Sequence, residues 1–255
     1  MKKLVILITI GLIFIIGGCA YSSSEKEDSV VLTVSSASSL QNVLEEMTVE
    51  FKKKHSYIDI QYNFGASGSL VKQIEQGAPV DLIISASREK FNVLETKDLI
   101  QESTTFIKNE LVLITARKGD LQIKNLNDLS SNNVEKISIG TPSVVPAGSY
   151  AKQSLEFLDL WSELDNKIVY AKDVRQVLTY VETGNVQAGF VYKTDAVNSE
   201  KVQIITTIKD KTHDSITYPI GVLRNTDSQT AAKQFYEFLQ SEEGKDIWIK
   251  YGFAF

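Results

Sequence analysis

From residue 30 onward, short β-branched runs alternate with segments whose apolar residues recur at helical spacing. Residues 30–34 form a strand-like run, and 39–54 carry Leu40, Val43, Leu44, Met47 and Phe51 on one helical stripe. Residues 57–62 alternate through Ile58, Ile60 and Tyr62, and 67–76 place Leu70, Val71 and Ile74 on one helix face. Residues 81–85 hold Leu82-Ile83-Ile84, the continuous apolar run of a strand covered on both sides. This βαβαβ opening predicts an α/β fold built on mainly parallel, doubly wound sheets. Further strands are predicted at 110–115, 136–140, 167–170, 188–191, 202–206 and 216–223. Helices are predicted at 88–94, 149–158, 174–182, 228–240 and 244–251, with Trp248 and Tyr251 as packing residues. The length of 255 residues suits two lobes of roughly 100–150 each. With 111–115 and 218–223 as crossover strands, lobe 1 is expected at 30–112 plus 218–255 and lobe 2 at 113–217.

The first 29 residues read differently. Lys2 and Lys3 precede an apolar run over 4–16, which ends in Gly17-Gly18-Cys19. A basic start, a short apolar stretch and small residues before a cut describe a secretory signal over 1–18. The run falls short of the roughly 20 residues that a spanning helix needs. Ile16-Gly17-Gly18-Cys19 resembles the lipobox of bacterial lipoproteins, which implies that Cys19 becomes a lipidated N-terminus. The remainder of 19–29, polar and without apolar periodicity, is the expected flexible tether. The expected location is therefore extracytoplasmic, lipid-anchored to the cell membrane.

Charge and composition exclude several functions. Cys19 is the single Cys, so no disulfide within the chain and no Cys-cluster metal site can form. Cleavage would remove Lys2 and Lys3 from 27 basic residues, leaving 25 against 32 acidic, a net charge of −7. No positive excess is available to neutralise nucleic-acid phosphates, so no nucleic acid is expected as a partner.

Four strand-to-helix junctions share one design: small or hydroxyl residues lead into a helix. They are Ser35-Ser36-Ala37-Ser38-Ser39, Gly65-Ala66-Ser67-Gly68-Ser69, Val145-Pro146-Ala147-Gly148-Ser149 and Lys172-Asp173-Val174-Arg175. A helix N-terminus offers unpaired N–H groups and about half a positive charge, which suits an anion. Each also has a plain capping explanation; Ser38 followed by Gln41 matches a capping box that needs no ligand. Four junctions at strand carboxyl ends, two per lobe, are more telling, because ligands of open α/β sheets bind there.

Several of these stretches carry a family resemblance. Leu32-Thr33-Val34, Ala37-Ser38-Ser39-Leu40-Gln41-Asn42, Phe64-Gly65-Ala66-Ser67-Gly68-Ser69-Leu70 and Gly77-Ala78-Pro79-Val80-Asp81-Leu82-Ile83-Ile84-Ser85-Ala86 resemble successive motifs of the molybdate-binding protein family. So do Val145-Pro146-Ala147-Gly148-Ser149-Tyr150-Ala151, Asp173-Val174-Arg175, Val191-Tyr192-Lys193-Thr194-Asp195-Ala196 and Tyr251-Gly252-Phe253. The resemblance implies a two-lobed periplasmic-binding-protein-like fold of type II, the extracytoplasmic receptor of an ABC transporter. It implies that the lobes close on molybdate, or on tungstate of nearly the same size, and that the receptor delivers its ligand to an ABC permease as a monomer. The implied contacts come from Ser39 and Ser67 through hydroxyl and N–H, Ala147 and Val174 through N–H, and Tyr192 through its phenol. Molybdenum would be held only as the oxyanion, with no direct protein–metal ligand and no cofactor.

Such an all-donor site would discriminate by proton count. Phosphate carries a proton at neutral pH that needs an acceptor, and burying it against donors leaves an unmatched polar group. Sulfate lacks that proton and differs from molybdate in size, so a receptor for sulfate is the alternative. A hydrolase reading rests on Gly65-Ala66-Ser67-Gly68-Ser69, near a nucleophile elbow but with Ser69 in place of the last Gly. Asp173 or Asp195 and then His213 would complete its triad. His213 sits in the polar stretch Lys211-Thr212-His213-Asp214-Ser215, so the expectation is a binding protein and not an enzyme.

Overall fold

The computed structural model describes residues 29–118 and 123–255. The expected signal peptide, Cys19 and residues 19–28 of the tether lie outside the described residues. The first half contains β1 (Val30–Ala37), α1 (Gln41–Lys54), β2 (Ile58–Gly65), α2 (Ser67–Glu75), β3 (Leu82–Ile84), α3 (Arg88–Thr96) and β4 (Ile100–Lys108). The second contains β5 (Leu111–Ala116), β6 (Ile137–Gly140), α4 (Pro146–Phe157), α5 (Trp161–Leu164), β7 (Ile168–Ala171) and α6 (Val174–Glu182). It continues through β8 (Ala188–Tyr192), α7 (Lys193–Val197) and β9 (Val202–Thr207), and β10 (Thr217–Leu223), α8 (Gln229–Gln240) and α9 (Glu242–Lys250) close the chain.

The strands form two five-stranded sheets, ordered β2-β1-β3-β10-β4 and β7-β6-β8-β5-β9. In the first, β1 pairs parallel with β2 and β3, whereas β10 pairs antiparallel with β3 and β4. In the second, β6 pairs parallel with β7 and β8, whereas β5 pairs antiparallel with β8 and β9. Each sheet is therefore mainly parallel in direction, with one reversed strand. That strand, β10 or β5, is the first after a crossing of the chain between the sheets. The crossings lie at residues 109–110 and 208–216. Leu111 and Val112, expected in lobe 1, pair with β8 and β9 of the second sheet.

The expected core faces are buried. Leu40, Val43, Leu44, Met47 and Phe51 pack beneath α1, and all three residues of β3 are fully enclosed. α4 begins three residues before its expected start because Pro146, with φ preset and no N–H to satisfy, occupies the first helical turn. β4 has no counterpart among the expected strands. Among the described strands it pairs only with β10, a bridge from Lys108 to Ala254 aside, and its exposed Gln101, Glu102 and Ser103 give it the polar sequence of an edge strand. Trp248 is fully buried and donates from Nε1 to the Leu239 carbonyl at 2.9 Å. The Tyr251 hydroxyl donates to Glu46 at 2.9 Å. Phe253 meets Tyr218 edge-on at 5.7 Å, so the C-terminus braces β10 behind the sheet ends.

Candidate functional site

The four junctions converge on one cavity. It is lined by Ala37, Ser38 and Ser39 after β1, by Gly65, Ala66 and Ser67 after β2, and by Ala86 after β3. From the second sheet come Val145, Pro146 and Ala147 at the start of α4, Val174 at the start of α6 and Tyr192 at the end of β8. All five residues singled out from the sequence, Ser39, Ser67, Ala147, Val174 and Tyr192, thus face a single space. The cavity has a volume of about 10 Å³, on the order of what the centre of one water-sized sphere sweeps. None of the described residues lining it is charged.

Three of the helix ends around the cavity lack a side-chain cap. Ala37, Ala66 and Val145 are the N-caps of the 3₁₀ turn Ser38–Leu40, of α2 and of α4, and none supplies a side-chain cap among the described residues. By contrast, α3 and α9 are capped by Ser87 and Ser241. The expected Ser38–Gln41 capping box is absent from the described structure: the 3₁₀ turn shifts the start of α1 to Gln41, whose side chain donates to Glu45. Uncapped first turns leave N–H groups and the positive end of the helix dipole directed at the space between the sheets. A Cβ on Gly148 would lie 1.8 Å from the Gly140 carbonyl oxygen. Only glycine lets α4 approach β6 closely enough to bring Ala147 to the cavity.

Asp173 is turned away. Its Oδ1 accepts from the N–H of Gln176 at 2.9 Å and caps α6, so its carboxylate is engaged beside Val174. Arg175 reaches instead to Asn42 Oδ1 at 2.5 Å on α1.

The hydroxyls are set for donation. Ser67 Oγ accepts from the Ala86 N–H at 2.9 Å, which leaves its own proton for another partner. Tyr192 is 1% exposed and its hydroxyl has no hydrogen-bond partner among the described residues. Burial, with smaller contributions from Tyr218, Tyr150 and Asp195, raises its phenol well above the ordinary value, so it remains a neutral donor. A buried hydroxyl without a partner costs about 1–3 kcal/mol. That cost is tolerated where a ligand supplies the acceptor.

Three hydrogen bonds join the halves around the cavity. The Gly68 N–H donates to the Val144 carbonyl at 2.9 Å, Arg175 to Asn42 at 2.5 Å, and the Tyr150 hydroxyl to the Ala86 carbonyl at 3.4 Å. His213 lies beside Tyr150, with ring centroids 5.7 Å apart, and its Nδ1 contacts the Asp214 carbonyl at 2.7 Å. The partner of Ser67 Oγ is thus a backbone N–H rather than an imidazole.

The bacterial extracellular solute-binding protein model matches residues 32–254, nearly the whole described body. The chain belongs to that family. Among its relatives, YvgL of Bacillus subtilis is 48% identical over 94% of this chain and 93% of its own, and carries the provisional name of an ABC transporter substrate-binding lipoprotein. The molybdate-binding protein ModA of Escherichia coli is 34% identical over 92% of this chain and 93% of its own. The periplasmic molybdate-binding protein of Azotobacter vinelandii superposes with a TM-score of 0.80 at 23% identity, over 88% of this chain and 99% of that one. The last likeness establishes the fold, a type II periplasmic binding protein.

In this solute-binding protein, sequence reasoning missed the contacts that hold the donors. Ala86 N–H behind Ser67, Tyr218 and Asn109 behind Ser39, and the Gly68–Val144 bond were all unread. Ala86 ends the stretch 77–86 that carries the family resemblance, but nothing in its residue type marks its amide. Asn109 and Tyr218 are 109 residues apart, beyond the reach of any local pattern.

Proposed function

We propose that the protein captures molybdate, and tungstate, between two lobes outside the cytoplasmic membrane and delivers it to an ABC permease. The division between lobes falls at the two crossings, so each lobe is built on one sheet. Ser39 and Ser67 from one lobe and Ala147, Val174 and Tyr192 from the other supply the donors, all neutral. Cys19 carries the lipid anchor, the working form is a monomer, and the protein performs no chemistry on its ligand.

The observation that carries this reading is the unpartnered Tyr192 hydroxyl, enclosed with three uncapped helix ends around a small, uncharged cavity. That donor set suits a small, fully deprotonated oxyanion. The molybdate-binding name of the E. coli relative supports the choice of ion. Hydrogen bonds to a charged group are worth about 1.5–3 kcal/mol each, which against desolvation and association costs gives micromolar to nanomolar affinity, roughly −8 to −12 kcal/mol. Isothermal titration with molybdate tests the reading. One ion bound per chain in that range is expected, and no heat of binding at millimolar molybdate would refute it.

A further inference from the structure

Behind the Tyr192 wall of the cavity lies a second buried group without a partner. Tyr192 lines the cavity and is also the N-cap of α7, and Asp195 stands in the first turn of that helix. Asp195 is 3% exposed, and neither carboxyl oxygen has a hydrogen-bond partner among the described residues. Arg175 and Asp173 act on it from α6, and its own charge acts on Tyr192 of β8 and Tyr218 of β10. Lys193, on the same helix, is paired with Glu110, and β5 and β9, which also pack on α7, contain no charged residue. Arg175 is engaged elsewhere, donating to Asn42 Oδ1 at 2.5 Å. Asp173 is half-buried and has a partner, the Gln176 N–H at 2.9 Å.

We infer that binding of the oxyanion is coupled to uptake of a proton by Asp195, which clears a negative charge from behind Tyr192 as the dianion arrives. The inference rests on the oxyanion reading above and adds a dependence on pH to it. A buried carboxylate with no bonded cation is costly and takes up a proton readily. Desolvation, opposed by Arg175 and the Tyr192 N–H, raises this carboxyl from 3.8 to about 7. A doubly charged ion held by Tyr192 is a like charge nearby and raises it further. None of the described residues lining the cavity carries a charge that would offset the repulsion. The proton passes from the buffer to the carboxylate, and no other bond changes. A carboxyl raised by its ligand favours binding where it is protonated. Affinity is therefore highest on the acid side and falls as pH rises through the ligand-free value of about 7. Dilute molybdate stays fully deprotonated between pH 6 and pH 8, so that fall belongs to the protein.

Calorimetric titration with molybdate at pH 7, in two non-phosphate buffers of different ionisation heat, counts the protons exchanged. On the order of half a proton should be taken up per ion bound, and the dissociation constant should rise on the order of fivefold from pH 6 to pH 8. Asp195→Asn, which keeps the side-chain shape and cannot ionise, should remove both effects. Asp173→Asn, which keeps a capping side chain on α6, should retain them. Equal heats in the two buffers for the wild type overturn the coupling without recourse to any variant, and leave the oxyanion reading standing. Uptake that survives in Asp195→Asn, or vanishes in Asp173→Asn, overturns the assignment to Asp195. Failure of the wild type to bind molybdate overturns the oxyanion reading, and the coupling with it.

Discussion

The backbone N–H of Gly68 donates to the carbonyl oxygen of Val144 at 2.9 Å, tying the first turn of α2 to the loop that leads into α4. A Cβ at position 68 would stand 2.9 Å from both the Cα and the carbonyl oxygen of Val144. Gly68→Ala therefore penalises approach of the halves rather than folding of either one. The clash, an overpacking on the order of 1–3 kcal/mol, should weaken molybdate about tenfold or more in a calorimetric titration. An unchanged dissociation constant would show that the two segments do not need this contact.

Tyr192 offers a test in which stability and affinity move apart. Its hydroxyl is buried without a partner, so Tyr192→Phe removes an unsatisfied group and keeps the ring. The ligand-free melting temperature should hold or rise, while molybdate binding weakens by about 1.5–3 kcal/mol. A variant that melts lower and binds normally would make Tyr192 a structural residue only.

Ser67→Ala should lower both quantities. It removes a donor to the ion, and it also orphans the Ala86 N–H that Ser67 Oγ accepts. Each loss is worth about 1–3 kcal/mol, read as weaker binding in titration and a lower ligand-free midpoint in urea. Loss of stability with unchanged affinity would confine the Ser67 hydroxyl to supporting Ala86.

Asp195 predicts a pH dependence. Its carboxyl is buried with neither oxygen hydrogen-bonded among the described residues. Desolvation raises it from 3.8 to about 7, against the pull of Arg175 and with a further push from Asp173. The folded state then holds a proton that the unfolded state releases at lower pH. This contribution is fully present below the unfolded value of 3.8 and is lost as pH rises through about 7. The slope is at most about 1.4 kcal/mol per pH unit for one group. Asp195→Asn, which cannot ionise, should gain stability relative to the wild type between pH 5 and pH 8 in denaturant unfolding. A constant difference across that range would contradict the assignment.

The sequence was readable where local pattern decides structure. The stripe from Val43 to Phe51, the run Leu82-Ile83-Ile84 and the small-residue junctions all lie where periodicity and junction chemistry placed them. β4 was not, because an edge strand with one paired side needs no apolar alternation. The capping box at Ser38 is misleading for a related reason: the motif is local, whereas the 3₁₀ turn that displaces it is set by burial of Ser38, Ser39 and Leu40. The ordered motifs located the five cavity residues, but the polarity of their hydroxyls depends on partners distant in sequence. Tyr218 lies 179 residues from Ser39, and only folding brings them within 3.4 Å.

Thermal unfolding of the protein with molybdate, tungstate, sulfate and phosphate is the most direct test of the central claim. A ligand at 100 times its dissociation constant stabilises by about 2.7 kcal/mol, so molybdate and tungstate should each raise the midpoint by several degrees and phosphate should not. Sulfate at the same concentration should stabilise less than molybdate. A midpoint unmoved by all four ions, or moved by phosphate as far as by molybdate, would contradict an all-donor oxyanion site.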